Sequence, residues 1–162
     1  MNEFLMEKAN MKVIADPVDF NTAAITGGRI GMKGYDRITI MLIMNGGTSI
    51  TNRTFDLKQH NAASSGTTKA LSVDNPYYHK VGSATKFTKV KPASATDSYD
   101  LLTLIGDNKS VIVFEVLAED LDVNNNFAWV SINAGDSGAT SLGTIIAFAH
   151  EPGTKPAYSL DL

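Results

Sequence analysis

The chain has 162 residues, a length for one domain or a domain with an arm, and at this size about 68–70% of the unfolded surface is buried on folding, enough for one core. It contains no cysteine, which excludes disulfide and thiolate–metal staples, and its 43% hydrophobic and 19% charged residues describe a globular chain, neither disordered nor collagenous. A net charge of -3 argues against a general nucleic-acid binder, and no apolar run approaches the ~20 residues of a membrane-spanning helix.

In chain order, residues 1–11 lack a charged segment followed by an apolar one, so no secretory signal is expected, and synthesis and use are placed in a cytoplasm or in something assembled there. Residues 2–8 have room for about two helical turns. Residues 1–15 read as an N-terminal arm or first strand, and 16–162 as a single β-sandwich domain. The periodic signals are alternating or short apolar runs bounded by Gly, Asn, Asp and Pro, which mark strands at 12–15, 37–44, 54–59, 77–81, 85–90, 99–104, 110–118, 127–133 and 144–149. In 54–59, Phe55 and Leu57 alternate with Thr54, Asp56 and Lys58, the pattern of a half-buried strand. The runs 38–44 and 111–117 are apolar on both parities apart from Thr39 and Glu115, which predicts central strands covered on both sides.

Asn45-Gly46-Gly47, Gly106-Asp107-Asn108 and Asn124-Asn125-Asn126 supply turn chemistry, the last closing a long hairpin from 110–118 through 119–123 to 127–133. Residues 62–71 have room for one helical turn, interrupted by Gly66. The stretches 16–36, 61–75 and 91–98 are irregular and long, as in proteins whose loops act or are held by a partner. The fold class is all-β: a β-sandwich or jelly-roll-like domain of about nine strands with long loops and a short N-terminal arm.

Three patterns carry possible chemistry. Gly135-Asp136-Ser137-Gly138 resembles the nucleophile segment of chymotrypsin-like proteases, with His60 and Asp97 or Asp100 preceding it in that family's order. Ala139 replaces the second glycine, however, and a turn between strands needs only the same residues, so no catalytic residue is assigned. Asp120-Leu121-Asp122-Val123-Asn124 places oxygen donors at alternate positions, like the first half of a calcium loop, but Ser131 stands where the closing bidentate Glu belongs. Asp120, Asp122 and Asn124 are therefore candidate ligands only, and no metal or other cofactor is expected. Lys80, Lys86, Lys89 and Lys91 with Tyr77, Tyr78 and Phe87 could grip a single strand of nucleic acid, but lysines also protect an edge strand, and the overall acidity favours protection. Gly28, Gly31 and Gly34 match no phosphate-loop spacing, the three His at 60, 79 and 150 lie far apart, and the sequon Asn52-Arg53-Thr54 needs a secretory route to matter.

Three further blocks belong together: Lys33-Gly34-Tyr35-Asp36-Arg37-Ile38-Thr39-Ile40; Asp56-Leu57-Lys58-Gln59 leading to Thr68-Lys69-Ala70-Leu71; and Val113 through Val123, followed by the aromatic strand at Phe127. Their order and spacing, over residues 20–150, resemble the capsid decoration or cement proteins of tailed bacteriophages. The resemblance implies a non-enzymatic virion protein, made in the host bacterial cytoplasm, that sits on the capsid exterior and stabilises the head. Its implied partners are the major capsid protein and itself, as a homo-dimer or homo-trimer, with no nucleic-acid or membrane partner. Asn124-Asn125-Asn126 departs from the glycine-containing turn of that family. Phe4, Leu5 and Met6 in the arm are expected to dock on a neighbouring subunit or the capsid. The alternative reading is a virion receptor or glycan-binding module, such as a fibre head, using Tyr77, Tyr78 and Tyr158; a serine protease built on Ser137 comes third.

Overall fold

A computed structural model describes residues 9–21 and 24–151. Among the described residues twelve strands form two antiparallel sheets with very little helix, a β-sandwich-like architecture. The first sheet has the order β1 (Asn10–Asp19), β12 (Leu142–His150), β4 (Arg37–Met44), β10 (Ser110–Leu117), β7 (Tyr77–Val81), β8 (Thr88–Val90). The second has the order β2 (Ile25–Thr26), β11 (Trp129–Ala134), β5 (Thr54–His60), β6 (Thr68–Ala70); β3 (Ile30–Gly31) also pairs with β11, and β9 (Ser98–Asp100) with β5.

The alternation within each strand builds the core. Ile38, Ile40 and Leu42 of β4 lie opposite Val116, Phe114 and Ile112 of β10, and opposite Ala149, Ala147 and Ile145 of β12, all buried. The small alanines of β12 leave room for the larger side chains facing them. From the second sheet, Phe55 and Leu57 of β5, beside Ala134 and Ile132 of β11, enter the same apolar cluster. Burying each of the larger side chains contributes about 1.5–3 kcal/mol before the entropy of ordering is subtracted.

Most predicted strands are present, several with changed ends, and six expectations need correction. Twelve strands replace nine, because β2, β3 and β6 are two- and three-residue pieces inside stretches read as irregular. The strand predicted at 99–104 stops at Asp100, whose carboxylate accepts the Leu102 N–H at 3.1 Å and starts a single helical turn at Leu102–Ile105. No helix forms over 62–71: Asn61 Oδ1 accepts the Thr67 N–H at 2.8 Å, closing a loop that Gly66 passes at φ +85°, and the chain then pairs with β5 as β6. Asn45-Gly46-Gly47 is not a hairpin turn. Both glycines have ordinary φ, and they are needed for close approach, since a Cβ on Gly46 would lie 2.5 Å from the Asp107 carbonyl oxygen.

The hairpin predicted from 110–118 to 127–133 is also absent, since β10 and β11 belong to different sheets. The Asp120 carboxylate accepts the Leu117 N–H at 2.7 Å, two 3-10 turns follow at Ala118–Asp120 and Val123–Asn125, and Asn126 at φ 63° completes the crossing. Finally, among the described residues β4 and β10 are covered on one face only. Met41, Val111 and Val113 are half-exposed and Ile43 is exposed, so apolarity on both parities here marks an apolar outer face.

Candidate interaction surfaces

The loops at one end of the strands are tied to each other by backbone bonds: Asn45 N–H to the Leu142 carbonyl at 2.8 Å, Gly47 N–H to Asp107 at 3.0 Å, and Thr51 N–H to Ser137 at 3.0 Å. Asp107 adds its carboxylate, which accepts from Ser49 N–H at 3.1 Å and Ile50 N–H at 2.8 Å. Ser137 is buried here and donates its hydroxyl to the Ala139 carbonyl at 2.6 Å. His60 closes the far end of β5, about 20 Å away at ~3.3 Å per residue. Asp97 pairs with Lys58 at 3.4 Å, and the Asp100 carboxylate accepts the Leu102 N–H. The protease constellation is therefore not assembled, and the Ser137 segment is a turn.

Each group in that list has a structural partner. His60 is only 4% exposed, with Thr68 Oγ1 2.8 Å from Nδ1 and Ser131 Oγ 2.8 Å from Nε2. Burial first, and the Arg29 guanidinium second, push its pKa down to about 4, so the ring is neutral at pH 7. Arg53, 2% exposed, donates Nη1 to Ser141 Oγ at 2.7 Å and Nε to the Gly106 carbonyl at 3.4 Å, while its buried Nη2 has no hydrogen-bond partner among the described residues. Burial holds its pKa below the usual guanidinium value against the attraction of Asp107. Beside these loops lies an open depression of about 630 Å³, lined by Asn21, Gly46, Gly47, Thr48, Ala139 and Thr140, with no charged side chain.

The opposite end joins the blocks that stand far apart in the sequence. Ala118 N–H donates to the Asp36 carbonyl at 2.9 Å, and Asp122 N–H to Gln59 Oε1 at 3.0 Å, while Gln59 Nε2 reaches the Ala70 carbonyl at 3.2 Å. Lys69 pairs with the Asp122 carboxylate and places its ammonium 4.4 Å from the Phe127 ring centroid, a cation–π contact. The Lys69 and Asn125 hydrogen bonds hold the Asp122 carboxyl below the usual carboxylate range. Asp120 is turned elsewhere, to Leu117 N–H and to Asn75 Nδ2 at 2.6 Å, and Asn124 is exposed. The three candidate calcium ligands do not converge, and among the described residues no three His, Cys, Asp or Glu are grouped to hold a metal ion. What projects from this end is a tip, residues 123–126, with Val123 61% exposed.

Tyr77 and Tyr78 face opposite ways. Tyr77 turns inward, with Tyr99 at 5.6 Å and Phe114 at 5.8 Å between ring centroids; burial raises its phenol pKa and, with nearby negative groups, takes that of Tyr99 up to about 12. Tyr78 lies on the outer face with Lys89 6.0 Å from its ring centroid. The lysine-rich segment carries β8, which is an edge strand. Phe4, Leu5, Met6 and Tyr158 lie outside the described residues. Sequence reasoning missed the outer face of the first sheet, although the odd-numbered apolar residues of 37–44 and 111–117 were its signal, and it missed buried Arg53, which no local pattern announces.

No family model matches the chain, and no curated protein matches it. Among solved structures it is similar to the SPBc2 prophage-derived protein YomS, at 13% identity over 88% of this chain and 93% of that one, with a TM-score of 0.45. It is also similar to the CBM22-1–GH10 modules of Clostridium thermocellum endo-1,4-beta-D-xylanase 10B complexed with xylohexaose, at 9% identity over 93% of this chain, with a TM-score of 0.32; this chain spans 26% of that one. Scores this low transfer no function.

Proposed function

We propose that the chain is a non-enzymatic structural protein of a tailed-phage virion that binds the outer surface of the capsid, with the major capsid protein as its partner. The observation that carries this reading is the convergence of the three decoration-protein-like blocks. They meet at one end through Asp36–Ala118, Gln59–Asp122 and Lys69–Asp122, and present the tip 123–126. A site shared by distant segments is what an interface held in one shape needs, because binding then costs little further ordering. Purified protein is expected to bind expanded capsids of its own virus and to raise their resistance to heat. Val123→Asp, at an exposed position, should lower capsid occupancy without changing the unfolding midpoint. Absence of the protein from virions, together with no binding to expanded capsids, would sink the reading.

The open depression at the other end supports a second reading, a glycan-binding module. Its uncharged lining of backbone groups, Thr48, Thr140 and Asn21 offers donors and acceptors suited to hydroxyl groups. A glycan array probed with the isolated protein and with intact virions separates the two readings, and a flat array removes this one.

A further inference from the structure

The outer face of the six-stranded sheet is apolar across most of its width. In one row, read through the register, stand Val13, Ile146, Met41, Val113, Tyr78 and Lys89, one residue from each strand. Met11 and Val13 are each 45% exposed and Ile43 is 38% exposed. Single exposed apolar residues are ordinary, but a contiguous sheet face is not. We propose that this face seats a second copy of the chain, the two sheets packing face to face about a two-fold axis that passes near Met41.

Three observations select that occupant. The first is area. The four long strands and β7, spaced ~4.8 Å apart and rising ~3.3 Å per residue, present about 600 Å² of projected face, so two copies bury about 1,200 Å² or more, the threshold of a standard stable interface. The second is that the sheet's edges are closed to pairing. β1 contains Pro17 and is irregular between Val13 and Ala15 and again between Ala15 and Val18, and β8 is three residues long with Lys89 at its centre. The third is charge. Glu115 is already paired with Arg37 at 3.1 Å, the row through Met41 is uncharged until Lys89, and the other free charge, Lys80 beside Val111, lies with Lys89 at the β7–β8 margin. A face without unmatched central charge is complementary to itself, as a two-fold contact requires. Sheets stacked in this way lie about 10 Å apart with their side chains interdigitated.

The test uses the full chain in sedimentation equilibrium over a concentration series. A dimer is expected, and Met41→Glu or Ile146→Glu, both at half-exposed positions, should weaken its dissociation constant by about 100-fold or more with an unchanged circular dichroism spectrum. Because the chain has no native cysteine, Met41→Cys should be captured as a covalent dimer by a short bis-maleimide, whereas Val123→Cys at matched concentration should not. A monomer at about 100 µM, a dimer indifferent to both glutamates, or a dimer in which Met41→Cys fails to cross-link would each overturn the proposal. So would dimerisation that appears only after residues 1–8 and 152–162 are removed, since the face would then belong to the chain's own ends. The outcome is independent of the capsid reading: a monomer that binds capsids defeats this proposal alone, and a dimer absent from virions defeats only the other.

Discussion

Acidification from pH 7 to 4.5 is expected to cost the fold about 2 kcal/mol through His60 alone. The ring is enclosed by Thr68, Ser131 and the loop that Arg29 pins through the Ala62 and Ser65 carbonyls at 2.8 and 2.6 Å. Hydroxyls can accept from both ring nitrogens, so hydrogen bonding does not bar protonation; lost hydration and the Arg29 charge do. With a folded pKa of about 4 against 6.5 when unfolded, the unfolded chain takes up the proton first. The contribution is whole above pH 6.5, falls as pH drops through the interval, and is gone below about 4. At ~1.36 kcal/mol per pH unit the interval corresponds to roughly 3 kcal/mol, and water reaching the exposed loop screens this to roughly 2. Asp19 and Asp122, whose carboxyl pKa values lie below the ordinary 3.8, lose their contributions only in more acid solution and leave the window clear.

The assay is urea unfolding of wild type and His60→Gln at half-unit steps of pH. The wild-type free energy should fall about 2 kcal/mol more than the variant's between pH 7 and 4.5. The His60 ring protons, followed by NMR, should not shift until the solution is well below pH 6. Parallel unfolding curves, or a ring titrating near 6.5, would refute the account of the site.

Other expectations are independent of this one. Arg53→Met should leave stability within about 1 kcal/mol of wild type or raise it, while Ser141→Ala should cost roughly 2–3 kcal/mol by stripping the best partner from a buried cation, both read by urea unfolding. Leu57→Ala should cost about 2–5 kcal/mol, because the site is fully enclosed between the sheets. Asp120→Ala should speed amide exchange at Leu117 and lower stability by about 1–2 kcal/mol, since a backbone N–H and Asn75 lose their shared acceptor. Ser137→Ala should cost about 1 kcal/mol and change no hydrolysis of ester or peptide probes; a lost activity would restore the protease reading.

The parts of this fold legible in the sequence are those written in local periodicity. β4 and β7 begin and end where the sequence places them, at 37–44 and 77–81, because the side-chain period and the flanking turn residues are properties of the strand itself. What was not legible depends on partners distant in sequence. β2, β3 and β6 are too short to have a period and exist only because β11 and β5 offer free backbone groups beside them. β10 and β11 belong to different sheets, and between them the Asp120 carboxylate folds back on Leu117, a contact that no local pattern announces. The enclosure of His60 needs Arg29 and the 61–67 loop, so its neutral state is unreadable from Gln59-His60-Asn61.

The two-parity apolar runs hold the most consequential ambiguity. Such a run is consistent with a strand covered twice by its own chain, and equally with a strand covered once by its own chain and once by another. Periodicity is blind to the difference, since both arrangements remove the same side chains from water. The half-exposed Met41, Val111 and Val113 rule out the first within the described residues. Thr at these three positions would meet β-propensity with less apolar exposure. Met and Val there are what the dimer proposed above requires, a face whose solvent is a second copy of the chain.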